Sequence, residues 1–412
     1  MSPSPPDSHD RAPPHAAAGR ALSRGDALRA LGLVGRAEDA LGLTLRGIAY
    51  AQLGELDLAR KSLVRGSRLT RAPLARARIK AALAEISMSD GEPAAAARAA
   101  RASADALATL GDARNAAMQR LVLARAEVLC GRLAEARLVV GVVLGARTLA
   151  PGVRAVAWLA KAEIAVRAAL AGEAREALKQ AREAMVAAPN ELLARALVAL
   201  EAELSQPVAR LERGGVVRSA DLFAIEAASS GEVLLVDACR RLVIGGRASV
   251  PLAKRPIVFS LLLVLARAWP KAVARDELAA RAFATRTVNA SHRSRLRVEI
   301  GRLRSLLSGL AEPVATEEGY ALKSTREVMT LLPPSDDDDA RIAILLGDGA
   351  SWSAQGLAEH AGVSKRTAQR ALAALVEAGG AIRSGKGKDV RYTRPGPRIA
   401  SRMLLLGLVP GP

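Results

Sequence analysis

The stretch Asn289-Ala-Ser-His-Arg-Ser-Arg-Leu-Arg-Val-Glu-Ile-Gly-Arg-Leu-Arg-Ser-Leu-Leu307 decides how the chain is read. At helical spacing Leu296, Ile300, Leu303 and Leu307 fall at i, i+4, i+7 and i+11 and make one apolar stripe. Arg293, Arg295, Arg297, Arg302 and Arg304 lie off that stripe, with Glu299 the one acid among them. Guanidinium groups stay charged and bind phosphate or guanine edges bidentately, so a helix with this face suits the major groove of duplex DNA. An ordinary amphipathic helix with a solvated basic face has the same wheel, and the flanking sequence decides between them.

On the C-terminal side, Val314-Ala-Thr and Gly319-Tyr-Ala-Leu read as a two-stranded ribbon. On the N-terminal side the period is two: Val233-Leu-Leu-Val-Asp237, Arg241-Leu-Val-Ile244 and, after Gly245-Gly246, Ala248-Ser-Val-Pro-Leu252. A helix follows over about 256–268, and Ala274-Arg-Asp-Glu-Leu278 starts the next. Strands, three helices and a hairpin in this order resemble the OmpR/PhoB-type winged-helix output domain of bacterial response regulators, over residues 232–332. The likeness is carried by Val250-Pro-Leu, Ser260-Leu-Leu-Leu-Val-Leu-Ala, Val273-Ala-Arg-Asp-Glu-Leu, Arg297-Val-Glu-Ile-Gly-Arg-Leu-Arg-Ser-Leu-Leu and Glu318-Gly-Tyr-Ala-Leu. It implies that the third helix enters the major groove through His292, Arg293, Arg295, Arg297 and Arg302. Lys254 and Arg255 meet phosphate near the start of the first helix. The hairpin departs from the family in carrying Glu317-Glu318, acids that would repel phosphates. The family's phosphoacceptor receiver domain has no counterpart in the sequence before residue 232.

A second helix-turn-helix follows Pro333-Pro334 and the acidic linker 333–339. In Ser351-Trp-Ser-Ala-Gln-Gly-Leu-Ala-Glu-His-Ala-Gly-Val-Ser-Lys-Arg-Thr-Ala-Gln-Arg-Ala-Leu, Ala358 is small where two helices touch and Gly362 turns the chain. Val363, Ala368 and Leu372 are core positions and Ser364 is an N-cap. Lys365, Arg366, Thr367, Gln369 and Arg370 then occupy the first two turns of the second helix, the part that reaches base edges. Lys386, Lys388 and Arg391 belong to a basic hairpin beyond it. The segment 340–398 resembles the winged helices of many bacterial repressors.

Upstream, helical periodicity runs from about residue 20 to Leu204. Gly54, Gly91, Gly131 and Gly172 recur at intervals of 37, 40 and 41 residues, each followed five residues later by Ala59, Ala96, Ala136 or Ala177. Gly47, Tyr50, Gly54, Ala59, Leu63 and Pro189 resemble the tetratricopeptide repeat over 22–205. Ala84, Ala124 and Ala165 depart from it where the first unit has Gly47. The resemblance implies a groove for a protein, a peptide or a second copy of the chain; a plain helical bundle with alanine-rich interfaces is the alternative. Residues 1–19 read as a disordered tail, 206–231 as a linker with one short strand and helix, and 399–412 as a C-terminal tail.

Composition agrees with this order. The formal net charge of +19 points to a polyanion. The basic excess per residue is concentrated downstream, with 17 Lys+Arg against 9 Asp+Glu over 232–332 and 11 against 4 from residue 340 on, compared with 32 against 24 over 1–231. Aromatic residues, at 2%, are too few for a base-stacking platform, which favours duplex over single strands. Cys130 and Cys239 stand apart, as in a reducing cytosol, and no apolar run is long enough to cross a membrane. His9, His15, His292 and His360 form no constellation, and no metal spacing, nucleophile elbow or nucleotide loop is present, so neither an enzyme nor a cofactor is expected. The expectation is therefore a mainly α chain, a tetratricopeptide-like α-solenoid followed by two winged-helix α+β domains. Such a chain is a cytoplasmic transcription regulator of double-stranded DNA with RNA polymerase as a further partner, or else a non-catalytic interaction scaffold.

Overall fold

The computed structural model describes residues 14–89, 93–230, 232–283, 285, 287–335, 337, 342–343, 345–346, 351–385 and 387–393. The Gly91 turn, Lys386, Asp336, Asp338 and Asp339 of the acidic linker and the C-terminal tail lie outside these residues. The fold is mainly helical, with small sheets confined to its C-terminal part.

Eleven helices come first: α1 (Pro14–Ser23), α2 (Ala27–Val34), α3 (Ala40–Leu53), α4 (Leu56–Leu69), α5 (Pro73–Ser89), α6 (Pro93–Thr109), α7 (Ala113–Leu129), α8 (Leu133–Leu144), α9 (Pro151–Arg167), α10 (Ala171–Val186) and α11 (Glu191–Ser205). Each packs on its successor, and the odd-numbered ones also touch the next odd one, so α1, α3, α5, α7, α9 and α11 form an inner row. That is why α7 has no apolar stripe: nearly every face of it is buried. Ala59, Ala96, Ala136 and Ala177 are all buried where the paired helices meet. At Gly47 a Cβ would lie 2.6 Å from Leu63 Cγ, so α3 and α4 approach more closely than any side chain there would allow.

The turns depart from expectation at one place. Gly54 (φ +88) and Gly131 (φ +78) take the left-handed conformation that ends a helix, but Gly172 sits in the first turn of α10. Ala169 (φ +56) makes that turn instead, and the Gly172 amide donates to Glu226 Oε2 at 2.8 Å. Of the expected tail, residues 1–13 lie outside the described residues, and over 14–19 the assignment is corrected: α1 starts at Pro14, Ala18 and Leu22 are buried, and His15 Nε2 lies 3.2 Å from Asp39 Oδ2.

Polar side chains stitch the inner row together. Arg78 Nε pairs with Asp112 at 2.7 Å, Gln119 Nε2 donates to Glu85 Oε1 at 3.1 Å, and Arg125 and Arg167 both meet Glu163. Burial pushes the Glu85 carboxyl well above the ordinary carboxylate range, against the opposing pull of Gln119. A raised folded-state pKa means the native state holds a proton that the unfolded chain releases. Stability from Glu85 is therefore full below the unfolded pKa and lost as pH rises through the folded one. Glu85→Gln should remove that loss, making the variant more stable relative to wild type at pH 8 than at pH 4.5 in urea unfolding. An equal difference at both pH values would contradict it.

The segment expected as a linker is structural. It supplies β1 (Ala209–Arg213), β2 (Val216–Ala220) and α12 (Leu222–Ser230), followed by β3 (Leu234–Asp237), β4 (Leu242–Gly245) and β5 (Ala248–Pro251). With β8 (Val328–Leu332) these strands form a six-stranded sheet of order β2-β1-β8-β3-β4-β5, antiparallel except for the β3–β8 pair. Alternation gives the sheet two buried faces. Leu235 and Leu331 join the core of α9–α12, whereas Leu234, Val236, Val243 and Val328 face α13 (Pro256–Ala268), α14 (Arg275–Phe283) and α15 (Ala290–Leu306). The sheet thus welds the helical array to the basic helix.

Candidate nucleic-acid interface

Two units carry the basic helices, and each ties its hairpin to the chain ahead of its helix pair. In the first, β6 (Glu312–Ala315) and β7 (Tyr320–Lys323) follow α15, and Val273 and Tyr320 exchange backbone hydrogen bonds of 2.8 and 2.9 Å. A Cβ on Gly319 would overlap the Val273 carbonyl, so only glycine allows this approach. In the second, α16 (Ala354–Ala361) and α17 (Lys365–Glu377) precede β9 (Ile382–Ser384) and β10 (Arg391–Thr393), and Trp352 and Tyr392 exchange bonds of 2.9 and 2.7 Å. Buried Ile342, Leu345 and Leu346 complete the core of that unit with Leu357, Ala368 and Leu372.

The first basic helix is largely engaged with its own protein. Asn289 accepts from the His292 amide at 3.0 Å, and His292 Nδ1 accepts from the Asn289 amide at 3.3 Å, a reciprocal cap. Phe283 stacks on His292 with ring centroids 5.8 Å apart and lies 5.0 Å from the Arg295 guanidinium. Arg293 forms a two-pronged pair with Asp276 (2.8 and 2.6 Å), whose carboxyl it holds below its usual range. Arg302 meets Glu299 at 2.8 Å, and Arg304 donates to the Pro313 carbonyl at 2.8 Å. Arg297 is exposed and, among the described residues, forms no ion pair; the same holds for Lys254 and Arg255. Glu317 and Glu318 are exposed at the hairpin tip, where Arg275 holds the Thr316 carbonyl at 3.0 Å and lies over Tyr320.

The second basic helix is arranged differently. Gly362 (φ +72) ends α16, and Ser364 caps α17 by accepting from the Thr367 amide at 3.0 Å, with the Thr367 hydroxyl 2.8 Å from its Oγ. Lys365, Arg366, Gln369 and Arg370 are all exposed, and among the described residues none has an ion pair or side-chain hydrogen bond. No acid occupies the first turn. Cations at the positive end of a helix dipole cost about 0.3–1 kcal/mol each, a cost that a bound anion relieves. Arg391 is half-buried, with Nη1 donating to the Val390 carbonyl, and the Lys388 side chain lies outside the described residues.

The units also touch. Arg241, itself left-handed (φ +53), lies 5.9 Å over Phe259 and donates to the Ala361 carbonyl at 3.2 Å, placing a cation at the C-terminal end of α16. It fills the space a Cβ on Gly362 would need. Sequence reasoning missed Arg241, Asp276 and Phe283, because their importance lies in partners far along the chain.

Among the described residues no cluster of three or more His, Cys, Asp or Glu side chains is placed to hold a metal, and no helix is long and apolar enough to cross a membrane. Compared with family models, curated proteins and solved structures, the chain matches none.

Proposed function

We propose that this protein is a sequence-specific, duplex-DNA-binding transcription regulator, with a tetratricopeptide-like solenoid governing two winged-helix units. The observation that carries the reading is the unpaired cluster Lys365, Arg366, Gln369 and Arg370 on the first two turns of α17, behind a helix turn at Gly362. These are the side chains that reach base edges in helix-turn-helix docking, and the three cations among them have no acid partner within the described protein.

The first unit contributes less to DNA affinity, since Arg293 and Arg302 are neutralised by Asp276 and Glu299 and its hairpin tip is acidic. Those same features favour a protein contact, such as RNA polymerase, for this unit, while a protein, peptide or second copy of the chain engages the solenoid. Arg297→Ala with Arg302→Ala should therefore weaken duplex binding by less than tenfold in fluorescence anisotropy, because only Arg297 is uncommitted. A loss beyond a hundredfold would move the principal contact to α15. A gel shift on duplex fragments at two salt concentrations tests the reading as a whole, because binding without a salt slope belongs to a protein scaffold.

A further inference from the structure

The two ends of the helical array meet. Asn190, buried at the start of α11, accepts from the Leu193 amide at 3.0 Å and donates from Nδ2 to the Ser23 carbonyl at the end of α1, 2.9 Å away. Leu192 packs on Gly25 so closely that a Cβ there would stand 3.1 Å from its Cγ. Beside this junction lies a cavity of about 880 Å³, reached by the first turns of α7, α9 and α11 and by the turn after α1. Its wall is mainly apolar, with Met118, Val156, Met185 and Leu193, and its lining includes two exposed arginines, Arg24 and Arg114. Neither arginine has an ion pair or side-chain hydrogen bond among the described residues, while the one acid of the lining, Glu191, is turned to Arg195 at 3.5 Å.

We propose that this cavity binds a small anionic amphiphile, with a carboxylate or phosphate-ester head between Arg24 and Arg114 and an apolar body against Met118, Val156, Met185 and Leu193. Its volume is that of a small-molecule site, and an apolar wall with a few convergent polar groups is how such sites are built. Guanidinium groups supply paired donors that suit either head group. An extended peptide fits less well, since each residue would bring a backbone N–H and C=O to a wall with few partners for them. A ligand there touches both ends of the array at once, so it holds the junction closed and stabilises the native state by mass action.

The inference concerns the helical array alone, so it is read on full-length protein without DNA and fails or stands apart from the DNA reading. Decanoate, decyl phosphate, 1-decanol and inorganic phosphate are titrated separately by calorimetry and thermal shift. Saturable binding of decanoate or decyl phosphate is expected, at least tenfold tighter than of decanol or phosphate, and the tighter of the two names the head group. Arg24→Glu and Arg114→Glu, at exposed positions, should each weaken it tenfold or more with the ligand-free melting temperature kept. Val186→Ser, at an exposed apolar position outside the cavity, should leave it intact. The proposal is overturned by no saturable heat up to about 1 mM, by decanol binding as tightly as decanoate, by both charge reversals binding like wild type, or by loss of binding in Val186→Ser.

Discussion

Replacing Arg366 and Arg370 together by alanine should weaken duplex binding by the full-length protein by about 2–6 kcal/mol, since each base-edge contact is worth roughly 1–3 kcal/mol. Both side chains are exposed and lie one helical turn apart on α17, so a single groove can take both. Neither holds the fold together, and their removal takes cations away from the positive end of a helix. The melting temperature should therefore stay constant or rise slightly. Anisotropy with a labelled operator, selected from a randomised duplex pool, measures the first effect, and thermal unfolding the second. If the arginines contact phosphate alone, the loss is equal on all sequences and the salt slope falls by about one unit per residue. Full affinity in the double variant would remove α17 from the interface.

The largest stability effect is expected at Glu163. Its carboxylate lies between Arg125 and Arg167, and all three side chains are at most 8% exposed. Removing the anion leaves two guanidinium groups buried beside one another, and loss of one partner from such a cluster typically costs about 3–5 kcal/mol. Glu163→Ala should lower the urea midpoint of the helical array accordingly. Replacing all three residues by apolar ones of similar volume should cost far less, because charge, cavity and partner then go together. A Glu163→Ala penalty under about 1 kcal/mol would mean that the arginines find water or other partners when the glutamate is lost.

The sequence made local features legible and long-range ones opaque. The stripe of α15, the cap Ser364, and the turns at Gly54 and Gly362 depend on neighbours within four residues, and they stand where the pattern puts them. The one short strand and helix expected between 206 and 231 are β2 and α12, but β1 was hidden because it pairs with β8 about 120 residues downstream, so Ala209 and Leu211 alternate toward a core the local sequence does not announce. Residues 14–19 read as tail because Pro3, Pro5, Pro6, Pro13 and Pro14 gather at and before their start, yet proline is favoured in a first helical turn, where its missing N–H has no partner to lose. The turn after α9 was assigned to Gly172 on spacing, whereas Ala169 bears the positive φ, held by the Leu170 amide bonding back to Ala165. At the interface, exposure of Arg366 and Arg370 follows from helical geometry alone. The commitment of Arg293 to Asp276 needed two helices in place, and so no wheel could separate Arg293 from Arg297.

The most direct test of the central claim is the affinity of the full-length protein for a randomised-sequence duplex pool as salt is raised from 50 to 200 mM, beside an equal length of single strand. On a random pool, where binding is through phosphates, Lys365, Arg366 and Arg370 with one or two further cations imply about four or five phosphate contacts, so log K should fall with log salt at a slope of about −3.5 to −4.5, with duplex preferred. No binding at 50 mM, a slope near zero, or preference for the single strand would contradict the account.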